Sequence, residues 1–221
     1  MFVRELTGIA LAVASTFLIF FSDKFFFNIF FILILFFLLF ELLKITKYFN
    51  FFFWIQIFLI FSSILFLPTY EIYRELFFVA ILIAVLTDSI AYYSGKKLGK
   101  IKIFPKTSPN KTLEGLICGN LITTLLLTFI IVSRPTFFDL NYLLLILIVW
   151  VSSLAAILGD YLQSRFKRIQ NIKDSGKILP GHGGISDRLD SHLTTLPVFF
   201  GLLEFFKSVS YTHLTLPTIA L

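Results

Sequence analysis

The residues that could do chemistry lie close together in one polar segment, 159–190, of a chain otherwise rich in Phe, Leu and Ile. Carboxylate oxygens bind hard divalent cations, and Lys, Arg and backbone N–H groups at glycines bind phosphate oxygens. Because the segment contains all of these groups, it predicts a site for a metal ion and a phosphate. The candidates are Asp160, Lys167, Arg168, Lys173, Asp174, His182, Asp187 and Asp190.

Three aspartates have positions that suit metal binding. Asp160 ends an apolar run, where a carboxylate is costly unless it is paired or bound to a cation. Asp187 and Asp190 are three residues apart, so on a helix they would share one face and could hold the same ion. The alternative is that Asp187 caps the next helix and Asp190 pairs with Arg188 or Arg165.

The basic residues and the turn PGHGG at 180–184 favour a phosphate clamp. Lys167 and Arg168 could each be explained by snorkelling to lipid headgroups, but Lys173 and Arg188 add to the same cluster. Glycines allow the close backbone approach that a phosphate needs. Within the turn these are Gly181, Gly183 and Gly184, beside His182. This histidine is a proton shuttle, a ligand, a hydrogen-bond donor to phosphate or a structural loop residue.

A second polar stretch begins with Asp88 inside an apolar run and continues through a lysine-rich segment to Lys111. An acid among small residues in a membrane span indicates a functional cavity. Ser108, Lys111 and Glu114 would add donors and a carboxylate on the same side of the membrane. The alternative is a solvated basic loop followed by a helix capped at Thr112.

The rest of the chain must position these groups within a membrane. Hydrophobic residues make up 57% of the sequence and charged residues 14%, and the mean hydropathy is +0.91. This composition predicts an all-α, polytopic integral membrane protein with about seven transmembrane helices and two polar loops. The apolar runs lie at 6–21, 25–43, 51–67, 76–94, 116–133, 141–163 and 193–206.

The distribution of charge predicts the orientation. With a cytoplasmic N-terminus, 15 of the 19 Lys and Arg residues lie inside and three outside, as the positive-inside rule requires. Both polar loops, 95–115 and 164–192, then face the cytoplasm from the inner (plasma) membrane. Short basic loops also explain the net charge of +6 without nucleic acid. Cys118, the single cysteine, excludes an intrachain disulfide.

The chain divides into three predicted parts. Residues 1–75 form N-terminal transmembrane helices, the first of them retained because no cleavage site follows it. Residues 76–207 form the catalytic region with both polar loops. Residues 208–221, SVSYTHLTLPTIAL, lose the composition of the chain and resemble a translated sequencing adapter, so we expect this tail to be foreign.

The run SRFKRIQNIKDSGKILPGHGGISDRLD at 164–190 resembles the signature of the phosphatidate cytidylyltransferase family, also called CDP-diglyceride synthetases. The segments DSIAYYSGKKLGK at 88–100 and SPNKTLEG at 108–115 are similar to two further polar blocks of that family. The signature positions are met by Ser164, Lys167, Arg168, Lys173, Asp174, Ser175, Gly176, Pro180, Gly181, His182, Gly183, Gly184, Asp187, Arg188 and Asp190.

The resemblance implies an enzyme that transfers CMP from CTP to phosphatidate in the bilayer and releases pyrophosphate. A homodimer is an oligomeric state that the sequence leaves open. The resemblance assigns catalysis to Asp160, Lys167, Asp187 and Asp190, and metal binding to the three aspartates, with Mg²⁺ and a second, monovalent cation such as K⁺. The implied substrate-binding residues are Ser164, Arg168, Lys173, Asp174, His182, Gly183, Gly184, Arg188, Asp88 and Lys111.

Two other functions stay open on the sequence alone. A CTP-dependent polyprenol kinase would use similar groups to move the γ-phosphoryl group instead. A cation-coupled transporter could place Asp88 and Asp160 in a cavity, although the charges cluster in loops and not at the middle of the bilayer.

Overall fold

The computed structural model describes residues 13–65, 71–133, 141–176 and 183–214, with side chains described over 13–63, 75–133, 141–176 and 183–207. A helical stretch at 13–21 comes first. The elements that follow are α1 (Lys24–Ile45), α2 (Phe51–Leu65), α3 (Glu71–Leu98), β1 (Lys102–Phe104), β2 (Ser108–Thr112), α4 (Leu113–Val132), α5 (Tyr142–Ile169), α6 (Ser186–Leu189) and α7 (His192–Leu214).

Four helices are long and apolar enough to cross a bilayer, which makes this a helical membrane protein. They lie at Lys24–Ile45, Glu75–Leu98, Leu113–Val132 and Tyr142–Ile169, and about 20 residues at 1.5 Å each match the hydrocarbon thickness. The apolar part of α2, Phe51–Ser63, is shorter. The described residues therefore contain four of the about seven predicted spans, and the others stay a prediction.

Helix α1 shows why apolar sequence gives this arrangement. Its buried apolar residues recur every three or four positions, at Phe27, Phe31, Leu35, Leu38 and Leu42, so they form one stripe along the helix. Phenylalanines on the other faces, such as those at 25, 26 and 36, are exposed. In a bilayer those rings contact lipid, which explains the high Phe content without a special binding role.

Glycines bring the central helices close together. A Cβ added at Gly119 of α4 would lie 2.8 Å from the carbonyl oxygen of Thr87 on α3. A Cβ at Gly159 of α5 would lie 2.6 Å from the carbonyl oxygen of Asp190, just before α7. Small residues at these crossings let backbones approach, and the second crossing fixes the start of α7 against the end of α5.

The first predicted loop is more ordered than expected. Helix α3 continues to Leu98, and β1 pairs with β2 in an antiparallel hairpin with Lys102 opposite Thr112. Thr112 caps α4, since its Oγ1 accepts a hydrogen bond from the Gly115 N–H at 3.3 Å. The prediction of a loop over 95–115 did not include this hairpin, because backbone pairing within it is not visible as an apolar pattern.

The second predicted loop is shorter than expected because α5 continues to Ile169. Lys167 and Arg168 therefore lie in the last helical turn, where positive charge is favourable near the helix C-terminus. Gln170 follows, fully buried. Its Oε1 accepts hydrogen bonds from the N–H groups of Lys47 and Tyr48 at 2.8 and 3.1 Å, and its Nε2 donates to the Tyr48 carbonyl at 2.8 Å.

Helix α7 continues to Leu214, seven residues into the predicted foreign tail, and 215–221 lie outside the described residues. The foreign origin of the tail and the division at 75 and 207 stay predictions.

Candidate active site

One half of the candidate site is built around Asp160, near the end of α5. The Lys111 ammonium, carried by β2, forms an ion pair with the Asp160 carboxylate. Ser164 lies one turn further along α5 and donates to Asp160 Oδ1 at 3.2 Å. The hairpin thus brings a lysine from the second polar stretch to an aspartate of the first, whereas the sequence predicted only that the two stretches share one side of the membrane.

Two more carboxylates lie within electrostatic range of Asp160. Asp88 of α3 lies within electrostatic range of both Asp160 and Lys111 and contacts the Ser191 side chain. Burial, together with the negative charges of Asp160 and Asp88, raises the pKa of Asp190 well above its usual range, although the Ser191 N–H donates to Asp190 Oδ1 at 2.9 Å. We call Asp88, Asp160 and Asp190 the carboxylate cluster. Their mutual repulsion makes this cluster a place that attracts cations.

Asp187 forms the other half and is arranged quite differently. Its Oδ1 accepts from Lys167 Nζ at 2.8 Å, and its Oδ2 accepts from the N–H groups of Ser175 and Gly184 at 2.8 and 3.0 Å. Only 8% of the Asp187 side chain is exposed. Burial opposes ionisation, but these hydrogen bonds and the Lys167 charge outweigh it and lower the pKa of Asp187. Asp187 is therefore a charged, fully bonded anchor.

Glu41 of α1 is a residue that the sequence reasoning missed. It is 2% exposed. Its Oε1 accepts from Ser175 Oγ at 3.0 Å and its Oε2 from the Ser186 N–H at 2.9 Å. The only signal in the sequence is that it is a lone acid in the apolar run FILILFFLLFELLKI, because its partners lie far along the chain.

The remaining predicted residues lie around these two halves. Arg168 is exposed and donates to the carbonyls of Thr107 at 3.4 Å and Ile172 at 3.3 Å. Lys173, Asp174 and Arg188 are also exposed. Gly183 has a φ of +87°, which glycine tolerates, and the Gly184 N–H is already used by Asp187. His182 lies outside the described residues.

The predicted set of three metal ligands does not converge on one point. Within the described ranges, no three Asp, Glu, His or Cys side chains are arranged to hold a single ion. Both oxygens of Asp187 accept hydrogen bonds from nitrogen donors, so they are already engaged. The carboxylate cluster has the oxygen donors that Mg²⁺ prefers. Its three side chains are not arranged around a single ion position.

Comparison with known proteins identifies the family. The family model described as the cytidylyltransferase family matches residues 48–206, and the chain belongs to this family. The matched region includes both halves of the site but not Glu41. The resemblance drawn from the signature at 164–190 is thereby confirmed.

Curated relatives carry a more specific name. A phosphatidate cytidylyltransferase of Staphylococcus haemolyticus (strain JCSC1435) is 47% identical over 124 residues, covering 56% of this chain and 47% of that protein. Proteins of the same name from Bacillus subtilis (strain 168) and Staphylococcus aureus (strain COL) are 45% identical over 131 residues and 46% identical over 124. The chain spans about half the length of the curated relatives it matches, with 48% and 47% of these two covered.

Proposed function

We propose that this chain transfers CMP from CTP to phosphatidate, forming CDP-diacylglycerol and pyrophosphate. The observation that carries the proposal is the pairing of lysines with aspartates at the ends of apolar helices, Lys111 with Asp160 and Lys167 with Asp187. These pairs bring phosphate-binding cations to a membrane surface, where a lipid phosphate and a nucleotide can meet. The family and the name of the relatives support the same reaction.

In the proposed reaction, an oxygen of the phosphatidate phosphate attacks the α-phosphorus of CTP. The bond between that phosphorus and the bridging oxygen to the β-phosphate breaks, and pyrophosphate leaves with the electron pair. Both reactants are anionic, so the site must neutralise charge and align the attack. Lys111 and Lys167, each held in place by its aspartate, and the exposed Arg168 supply positive charge for the phosphates.

No covalent intermediate with the protein is required, because the attacking phosphate oxygen is already ionised. Ser164 and Ser175 donate hydrogen bonds to carboxylates, Asp160 and Glu41. Both hydroxyls therefore act as positioning groups in this proposal, each held by the carboxylate that accepts its hydrogen bond, and neither is assigned the role of a nucleophile.

An apolar cavity supports a lipid substrate. It has a volume of about 130 Å³ and is lined on one side by Phe27, Phe31 and Leu38 of α1 and on the other by Leu189, His192 and Leu196. Leu189 lies between Asp187 and Asp190 in the sequence, so the cavity starts beside the reacting groups. We propose that the substrate approaches from this apolar side and CTP from the exposed basic side.

We propose Mg²⁺ as the cofactor, with a second, monovalent cation such as K⁺, on the donor chemistry of the carboxylate cluster. A bound Mg²⁺ would neutralise phosphate charge and polarise the phosphorus under attack. No step above depends on it. Incorporation that is lost with a chelator and restored by Mg²⁺ alone would support the cofactor, and turnover unaffected by chelation would exclude it.

The orientation and the membrane are also proposals. The excess of basic residues in the segments flanking the site supports a position of the site at the cytoplasmic face of the plasma membrane. The N-terminus would lie on the same side. Labelling of introduced cysteines by a membrane-impermeant reagent, in intact cells and in inverted vesicles, tests this. A homodimer would have twice the mass of the single chain in detergent.

The decisive experiment follows label from CTP into chloroform-extractable lipid. Membranes containing the chain receive phosphatidate and CTP radiolabelled in the α-phosphate or, in parallel, in the γ-phosphate. We expect α-label in lipid only when phosphatidate is present. Incorporation of γ-label would indicate a lipid kinase instead, and no incorporation by correctly inserted protein would contradict the proposal.

A further inference from the structure

We propose that Glu41 is a positioning residue: its buried carboxylate joins the segment at 174–176 to the segment at 183–186 and so fixes Asp187 and Lys167. This inference rests on the proposed function for its effect on turnover. Glu41 precedes the region matched by the family model, 48–206, so membership of the family does not by itself assign it a role.

The first argument is the burial of a charged side chain. Glu41 is 2% exposed on a helix whose other buried residues are apolar. A carboxylate in such a place costs several kcal/mol unless hydrogen bonds replace its water. The donors it finds are Ser175 Oγ at 3.0 Å and the Ser186 N–H at 2.9 Å, and these come from the two segments that contact Asp187.

The second argument is the space that two glycines leave for this carboxylate. A Cβ added at either Gly176 or Gly184 would collide with Glu41 Oε1. These two glycines lie in KDSG and PGHGG, and for the second of these segments the sequence suggested that glycines admit a phosphate. In the structure they make room for Glu41, so the chain keeps space on both segments for one carboxylate of α1.

The third argument is the short path from Glu41 to the site. Ser175 contacts Glu41 through its hydroxyl and Asp187 through its N–H. Ser186, the other partner of Glu41, is the neighbour of Asp187 in α6. Asp187 in turn holds Lys167 at 2.8 Å. Loss of the Glu41 hydrogen bonds would therefore release both segments that hold Asp187, and a displacement of reacting groups by about 1 Å can cost roughly a hundredfold in rate.

Two substitutions of similar size separate hydrogen bonding from charge. Glu41→Gln can still accept from the Ser186 N–H through its oxygen, and its amide can donate to the Ser175 hydroxyl, which can also act as an acceptor. Glu41→Met fills the same space without either bond. Gln56→Met is a matched control, because Gln56 is 3% exposed on α2 and makes none of the hydrogen bonds described for the site.

We expect kcat and the rate of tryptic cleavage to change together in the same variant. For Glu41→Met, kcat in the label-incorporation assay falls by about tenfold to a hundredfold, with a smaller change in KM for phosphatidate. Glu41→Gln stays within about threefold of the wild type, and Gln56→Met does not change kcat. In detergent, trypsin cleaves after the exposed Lys173 faster in Glu41→Met than in Glu41→Gln or the wild type, because the tether at Ser175 is lost.

Several outcomes would overturn the inference. If Glu41→Met retained the wild-type kcat and cleavage rate, or lost thermal stability while the folded protein kept its kcat, Glu41 would have no positioning role. If Glu41→Met did not fold, Ser175→Ala would replace it, since it removes one of the two hydrogen bonds and should change both readouts in the same direction. Failure of the wild type to incorporate label would contradict the proposed function, while the cleavage rates would still test the tether.

Discussion

Asp187 and Asp190, one in each half of the candidate site, have opposite surroundings. Asp187 is fully bonded to a lysine and two backbone N–H groups, and its pKa is lowered. Asp190 lies near Asp160 and Asp88, and its pKa is raised. A carboxylate that is already satisfied holds structure in place, whereas a group of carboxylates that repel one another is satisfied by an incoming cation. The difference suggests that the Asp187 half positions and the carboxylate cluster reacts.

The largest expected effect concerns activity. Asp190→Asn should lower kcat by about a thousandfold, equivalent to about 4 kcal/mol, because it removes one charge from the carboxylate cluster. It should not destabilise the protein, since the amide relieves repulsion with Asp160. Label incorporation and thermal unfolding in detergent measure the two effects. A variant that loses stability but keeps its kcat would reverse the roles of the two halves.

Asp187→Asn should have the opposite effect on stability. Because the substitution leaves Lys167, whose side chain is 13% exposed, without its partner, we expect a loss of about 3 kcal/mol, seen as a lower unfolding temperature at neutral pH. The lowered pKa means that ionised Asp187 stabilises the folded state above the ordinary carboxyl pKa of about 3.9. The difference between wild type and variant should therefore shrink as pH falls below that value, and a difference that stayed constant would contradict the ion-pair explanation.

Gly159→Ala should disturb the carboxylate cluster alone. Its Cβ would meet Thr194 Oγ1 and the Asp190 carbonyl, so α7 must shift away from α5 at a cost of about 1–3 kcal/mol. We expect a lower unfolding temperature and a lower kcat, with no change in tryptic cleavage after Lys173. Faster cleavage would mean that the two halves are mechanically coupled.

Arg168→Ala should have the smallest effect. The side chain is exposed, so its removal should not affect stability, and we expect KM for CTP to rise roughly fivefold, about 1 kcal/mol. Arg168→Lys retains a positive charge and should recover part of that loss. An unchanged KM in both variants would remove Arg168 from the nucleotide site.

The sequence predicted what is local and missed what is distant. All the apolar runs that fall within the described residues are helical, because a membrane leaves apolar segments few alternatives. A helix cap at Thr112 was one of two interpretations of the second polar stretch, and it was visible because capping depends on neighbours in the chain. The sequence did not predict which basic residue pairs with Asp187. Lys167 is the partner because α5 continues to Ile169 and carries Lys167 in its last turn. Glu41 was invisible because both of its partners come from segments more than a hundred residues away.

The buried amide of Gln170 has a consequence for where this protein can be cut. It binds the turn between α1 and α2 in the way one peptide group pairs with another, using both its oxygen and its nitrogen. One of those contacts, the N–H of Lys47, lies just before the matched region that starts at 48. A fragment trimmed to that region would lose the Lys47 N–H, so Gln170 Oε1 at the end of α5 would keep only one of its two hydrogen bonds. The part of the chain before 48 and the matched region should therefore fold as one unit. Separately expressed pieces should recover stability only when they are combined.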